Sequence, residues 1–319
     1  MRGLLHRRQI RIKTLQNFYS YHSHDNMSVN DGVMALMDNM EASYDLYLLL
    51  LDSMLELRQV AINEIDRLQL KRIQSEEDKN PNRRFVDNKI LRLLDECQDF
   101  KVKRESRGIS WGVEEGNNFF VKIYQDLKKS EYYQEYITNS KQTWGQDMKF
   151  VHRVFKDYLV NNDVLQENLE EQNMCFMDDL DMVAISVLKT VESFKISEGS
   201  FNKLMRLYKD EDADIDFAKT LYREAAKNQG LVKELVDKLA SNWEWDRIAV
   251  MDRLLLQLGI AEAKSFPQIP IKVSLNEYVE IAKEYSTKNS AVFVNGVLDK
   301  SLKELQHKGE IVKTGRGLI

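Results

Sequence analysis

Residues 1–22 carry Arg2, Arg7, Arg8, Arg11 and Lys13 and no carboxylate, a local charge of +5 in a chain whose formal net charge is −5. Guanidinium forks grip phosphate oxygens bidentately, so this stretch points to an anionic partner, and RNA contact outweighs a merely solvated helix face. Contacts from Arg7, Arg8, Arg11 and Lys13 imply a salt slope for single-stranded RNA near −0.7 × 4, about −2.8. Near the other end, Phe293 stands beside Asn295 and Gly296 while Val294, Leu298, Leu302 and Leu305 keep the core-facing period. That places the ring off the buried stripe, where a single-stranded base can stack on it next to an amide. Asp252 and Arg253 are polar positions in an otherwise apolar segment and mark its open edge. Covalent chemistry finds no such constellation: the five His are scattered, no Ser-His-Asp order exists, and neither GxGxxG nor GxxxxGK[ST] occurs. His22-Ser23-His24 lacks a third ligand, and Cys97 and Cys175 lie 78 positions apart without a C-x-x-C. No metal, disulfide or cofactor is expected.

The elements that must position these residues are helical. With 13 Gly and 3 Pro in 319 residues, a β-sandwich, a barrel or a disordered chain is excluded. No run of 18 apolar residues occurs and the N-terminus lacks an apolar signal core, so a cytoplasmic protein that engages no membrane is expected. At 100° per residue, Leu5, Ile12, Leu15 and Tyr19 share one face of a first helix, with Arg7, Arg11 and Phe18 on the neighbouring stripe. Tyr19 is therefore expected to pack, its hydroxyl reaching the RNA edge. A long helix follows at 33–75, a break at 76–81, and helices near 85–104, 117–139, 146–170 and 175–194, with strand alternation absent throughout. The glycine-containing stretch 107–117 reads as a helix-to-helix joint. Seven acids and no cation in 161–182 read as a solvated face. From about 213 a tighter array takes over, near 213–228, 231–241, 245–262, 274–286 and 290–306. Its segment IAVMDRLLLQLGIAEA is apolar almost all round and should be the central buried helix. Pro267 and Pro270 set a rigid connector, Ser274-Leu275-Asn276-Glu277 reads as a capping box that starts the next helix, and residues 307–319 are expected to be mobile.

Two separated stretches resemble one family, the NusB transcription antitermination factors. One runs Arg7-Arg8-Gln9-Ile10-Arg11-Ile12-Lys13-Thr14-Leu15-Gln16-Asn17-Phe18-Tyr19. The other holds Trp243, Arg247, Asp252-Arg253-Leu254-Leu255-Leu256, Ile269-Pro270-Ile271-Lys272-Val273, Asn276-Glu277, Ala282-Lys283 and Phe293-Val294-Asn295-Gly296-Val297-Leu298-Asp299. The similarity covers about 22 plus 90 residues, and Gln257 stands where the family usually has Arg. It implies an all-α helical bundle of NusB type with a large helical insertion between the first helix and the C-terminal bundle. The corresponding division is 1–212 for the N-terminal helical region, 213–306 for the bundle and 307–319 for the tail.

The function so implied is an RNA-binding transcription antitermination factor that performs no catalysis. It would bind boxA-type nascent RNA together with the ribosomal protein NusE in an RNA polymerase antitermination complex. The implied RNA contacts are Arg7, Arg8, Arg11, Lys13, Gln16, Tyr19, Phe293 and Asn295, and Asp252 and Arg253 would face NusE. Two alternatives stay open. One is a protein-only adaptor that has lost RNA binding. The other is the RNA-binding part of an rRNA methyltransferase, which needs a glycine-rich cofactor domain beyond the point, about 20 residues past the motif, where this chain stops.

Overall fold

The computed structural model describes residues 3–24, 26–112, 118–239 and 244–318; Arg2 and Trp243 of the motifs above lie outside them. Along the chain come β1 (Gly3–Leu5), α1 (Arg7–Ser23), α2 (Val29–Gln69), α3 (Glu76–Lys79), α4 (Lys89–Glu96), α5 (Gln98–Ser106), α6 (Phe119–Lys129), α7 (Glu131–Thr138) and α8 (Trp144–Val154). A π-helical turn (Phe155–Val160) leads to α9 (Asp163–Gln172) and α10 (Cys175–Ser193), followed by a 3₁₀ turn (Ile196–Phe201), β2 (Arg206–Tyr208), α11 (Glu211–Lys227) and α12 (Gln229–Leu239). A 3₁₀ turn (Trp245–Arg247) precedes α13 (Val250–Ser265), α14 (Ile271–Tyr285), α15 (Ser290–His307) and a last 3₁₀ turn (Gly315–Leu318). The fold is all-α apart from β1 and β2, which pair and correct the expectation of no strand. Three of the expected helices are broken in two. New helices restart where a side-chain oxygen takes the first free amides: Ser130 Oγ accepts from Tyr133 N at 3.3 Å and Asn162 Oδ1 from Leu165 N at 3.1 Å.

The chain forms two compact units, residues 41–206 and residues 2–40 with 207–319, divided inside α2. This corrects the division at 212, because α1 belongs with the C-terminal helices. Its Leu15 and Phe18 are fully buried, and the Phe18 ring meets Tyr222 of α11 edge-on at 5.3 Å. In that unit α13 is the central helix, buried at every position from Leu254 to Ala263 and packed on α1, α11, α14 and α15. Gly259 lets the backbones close in, since a Cβ there would stand 2.8 Å from Leu298 Cδ2. The C-terminal stretch is not loose as expected. Ile311 is buried, Lys313 Nζ donates to the carbonyls of Ala263 (2.7 Å) and Phe266 (3.0 Å), and Thr314 N donates to Pro267 O at 3.0 Å.

Residues 41–206 have a core of their own. Leu46–Leu51 of α2 are buried on every side, and Tyr47 Oη meets Thr190 Oγ1 at 2.6 Å. Asn88 caps α4 through Oδ1 to Ile90 N (2.9 Å) while its amide donates to Tyr136 Oη (2.9 Å). Of the apolar positions at helical spacing, Leu91, Leu94, Ile123, Phe155, Leu159, Val183 and Val187 are buried, and Phe119 is half-buried. In the acidic run Asp179 is buried and accepts from Ser43 Oγ at 2.6 Å, whereas Asp163, Glu167, Glu170, Glu171, Asp178 and Asp181 are exposed.

Within this core Asp52 is fully buried, with Arg104 Nε at 3.0 Å. Burial raises its carboxyl from the ordinary 3.8 to about 7, with Arg104 opposing. The native state then holds a proton that the unfolded chain releases, so this group's contribution to stability falls as pH rises from about 4 through 7. Asp52→Asn should raise the melting temperature of the wild-type chain at pH near 8 and change it little near pH 4, a differential on the order of 2 kcal/mol. Circular-dichroism melts of both chains at the two pH values check this; an equal gain at both would leave the carboxyl without its raised pKa.

Candidate nucleic-acid interface

Helix α1 presents one open stripe. Arg8, Ile12, Gln16, Tyr19 and Ser23 fall within about 80° of one another at 100° per residue, and all are exposed or half-exposed. Ile10, Arg11, Thr14, Leu15 and Phe18 face the interior. The apolar face expected for Ile12 and Tyr19 is thus corrected: Tyr19 is 45% exposed, because α13 and α11 cover the side that carries Leu15 and Phe18.

The arginines are all engaged. Arg7 Nε lies 3.0 Å from Asp214 Oδ1 and its Nη2 donates to Ala213 O at 3.1 Å, with the guanidinium 4.3 Å from the Phe217 ring centre. Arg8 forms a two-pronged pair with Glu277, Nε to Oε2 at 2.9 Å and Nη2 to Oε1 at 2.8 Å, its side chain still 45% exposed. Arg11 is buried and makes the same fork with Glu262 at 2.6 and 2.8 Å, with Glu277 a further 3.4 Å neighbour. Glu262 is fully buried and also accepts from Ser274 Oγ (2.7 Å) and Tyr278 Oη (3.0 Å), so its oxygens take four donors. Lys13 is buried and donates to Asn39 Oδ1 at 2.6 Å. Arg11 and Lys13 are therefore interior groups and not surface phosphate ligands, which corrects the four-cation reading of this helix. Cations in a first turn oppose the helix dipole; Asp214 and Glu277 offset them there. The hydrogen bond from Arg8 holds the Glu277 carboxyl below the usual carboxylate range.

Glu277 also departs from its capping-box reading. Helix α14 starts at Ile271, after Pro270, so Ser274 lies inside the helix, where it donates to Glu262, and Glu277 faces Arg8. Together Arg7, Arg8, Phe217, Phe266, Ile269 and Pro270 line a cleft of about 770 Å³. Sequence reasoning missed Asp214, Phe217 and Glu262 as members of this site. The available signal was Glu262, a lone acid in the buried run IAEA.

At the start of α15, Phe293 is half-buried, Asn295 and Gly296 are exposed, and Val294, Leu298, Leu302 and Leu305 are buried. A Cβ on Gly296 would meet nothing within 4 Å, so close helix packing is not its role. Asp252 does not form an open edge: it is buried and accepts from Ser286 Oγ (2.6 Å) and Ser290 Oγ (2.8 Å), tying α13 to the end of α14 and the start of α15. This corrects its placement on a partner-facing surface. Arg253 is half-exposed, its guanidinium 5.5 Å from the Trp245 ring centre. Gln257 is buried in α13, and burial lowers the pKa of His22. Among the described residues no group of three or more His, Cys, Asp or Glu is placed to hold a metal, and no helix is long and apolar enough to cross a membrane.

Comparison with known proteins places the chain in a family. The NusB family profile matches residues 182–303. The chain is 44% identical over 138 residues to a transcription antitermination protein NusB of Salinibacter ruber, covering 42% of this chain and 86% of that protein. It is 36% identical over 137 residues to the protein of that name from Chloroherpeton thalassium (41% and 65% covered) and 36% identical over 121 residues to that of Myxococcus xanthus (38% and 82% covered). No solved structure matches the chain. The central buried α13, the α14 carboxylate beneath α1 and the Phe293–Asn295 opening of α15 thus sit in a chain that belongs to the NusB family.

Proposed function

We propose that this chain is an RNA-binding transcription antitermination factor. It binds boxA-type nascent ribosomal RNA together with the ribosomal protein NusE and acts on RNA polymerase elongation complexes. The observation that carries the reading is the open stripe of α1. From Arg8 to Tyr19 it spans twelve residues, about 16 Å of helix, and it offers a guanidinium, an amide and an exposed phenol in line. Single-stranded RNA is held by that combination: cations on phosphates, rings under unstacked bases. Gln16 lies in the middle of the strip and is half-exposed. Arg7, Arg8, Gln16, Tyr19, Phe293 and Asn295 make the RNA contacts, Arg253 faces NusE, and Arg11 and Lys13 hold the helix from within. The six exposed acids of 163–181 repel phosphate, so residues 80–200 add no RNA affinity.

Two cations at the surface in place of four change the expected electrostatics. The affinity for a boxA-type RNA should follow salt with a slope no steeper than about −1.4, read by fluorescence polarisation with and without NusE. A slope near −3 would return Arg11 and Lys13 to the RNA. NusE binding without any RNA binding would instead make the chain a protein-only adaptor.

Phe293→Leu should weaken RNA binding by roughly 1–2 kcal/mol and leave the melting temperature nearly unchanged, because the ring is only half-buried. A large fall in melting temperature would assign the ring to the core. Arg253→Glu should weaken NusE association more than RNA binding, since it puts a carboxylate where a cation stood; equal losses of both would remove Arg253 from the NusE face.

A further inference from the structure

An arginine that serves RNA while forked to a carboxylate poses a physical problem. Arg8 is the most exposed guanidinium of the α1 network, yet Nε and Nη2 are both committed to Glu277 at 2.9 and 2.8 Å. A phosphate uses the same fork. We propose that Glu277 is a resident counter-ion of the RNA site, a tethered carboxylate with which an RNA phosphate must compete for Arg8, and that it thereby sets both the affinity and the salt response of the site. The inference rests on the RNA-binding reading above.

Three features separate this role from simple bracing of the fold. The deeper pair is complete without Glu277: Arg11 gives Nε and Nη2 to Glu262, which Ser274 and Tyr278 also satisfy, and Glu277 adds only a 3.4 Å contact. Glu277 is also the outer carboxylate, its side chain 19% exposed against 0% for Glu262. Finally, Arg8 keeps almost half of its side chain open to solvent, so a phosphate reaches it without disturbing the core. A tethered carboxylate differs from a bound salt ion in one measurable respect. Salt dependence arises when a protein cation neutralises a phosphate and frees the cation condensed on it; Arg8 with Glu277 tethered beside it carries no net charge, so the phosphate it meets keeps its cation. Arg8 in the wild-type chain therefore adds little to the salt slope although it contacts the strand.

The test measures binding of a single-stranded boxA-type oligoribonucleotide by the full chain at several salt concentrations. The variants are Glu277→Gln, Glu277→Asp, Arg8→Ala, the double variant Arg8→Ala/Glu277→Gln, and Glu280→Gln. E277Q should bind about three- to tenfold tighter than wild type at low salt, with a slope steeper by about 0.7, one additional phosphate. E277D, whose carboxylate is withdrawn by one methylene, should fall between the two. The double variant should bind no tighter than R8A. E280Q removes the same charge from the same helix, where Glu280 pairs with Lys283 and acts on Arg8 more weakly than Glu277 does, and should change affinity and slope less than E277Q. The proposal is overturned if folded E277Q binds equally or more weakly, if the gain survives in the Arg8→Ala background, or if E280Q matches it. If E277Q fails to fold, E277D decides alone, and unaltered affinity and slope overturn the proposal. RNA binding that depends on Tyr19 and Phe293 but ignores Glu277 sinks this inference alone. Absence of RNA binding in every variant sinks the RNA reading and this inference with it.

Discussion

The buried pair of Arg11 and Glu262 is the constraint around which the unit of residues 2–40 and 207–319 is arranged. Two ions taken out of water are tolerated only when geometry and hydrogen bonds repay their desolvation. Here the carboxylate takes two guanidinium donors, one hydroxyl from Ser274 and one phenol from Tyr278. Each donor comes from α1 or α14 and the acceptor from α13, so one ionic centre fixes the rotation of all three helices. Removing either charge would strand the other, at a cost of about 3–5 kcal/mol. With Arg11 pinned inward beside Ile10, Thr14, Leu15 and Phe18, the stripe from Arg8 to Ser23 is left facing outward.

That centre also explains which parts of the molecule were legible in the sequence. The α13 segment was readable because its apolar positions go all round, and the helical character of the insertion followed from spacing such as Leu91, Leu94, Phe155 and Leu159. The ion pairs were not. Arg7, Arg8 and Arg11 look uncompensated over 22 residues, but their carboxylates, Asp214, Glu277 and Glu262, lie more than 200 positions away. Local charge counting cannot see a partner supplied by topology. Asp252 failed for the same reason: its serine donors come from the end of α14 and the start of α15. The capping-box reading of Glu277 was locally sound, yet α14 had already begun three residues earlier, after Pro270.

Residues 41–206 contain their own capping, aromatic and hydrophobic interior, and the family profile reaches only their last part, from residue 182. A unit with a separate core can acquire or lose surface functions without repacking the helices that carry the α1 stripe. Its boundary falls within a continuous helix and not in a glycine-rich loop, which is why composition alone gave no sign of where the unit begins.

The last residues of the chain have a different standing from most tails. A helix leaves its final carbonyls without internal donors, and near the end of α13 Lys313 supplies them, to Ala263 and Phe266, while Thr314 fastens Pro267. Phe266 also lines the cleft beneath Arg7 and Arg8. In thermodynamic terms the tail is part of α13, remote in sequence but coupled to its fraying equilibrium. Limited proteolysis after residue 307 would therefore register as faster amide exchange in the last turn of the central helix and as loosening of the cleft floor, rather than as the trimming of an inert end.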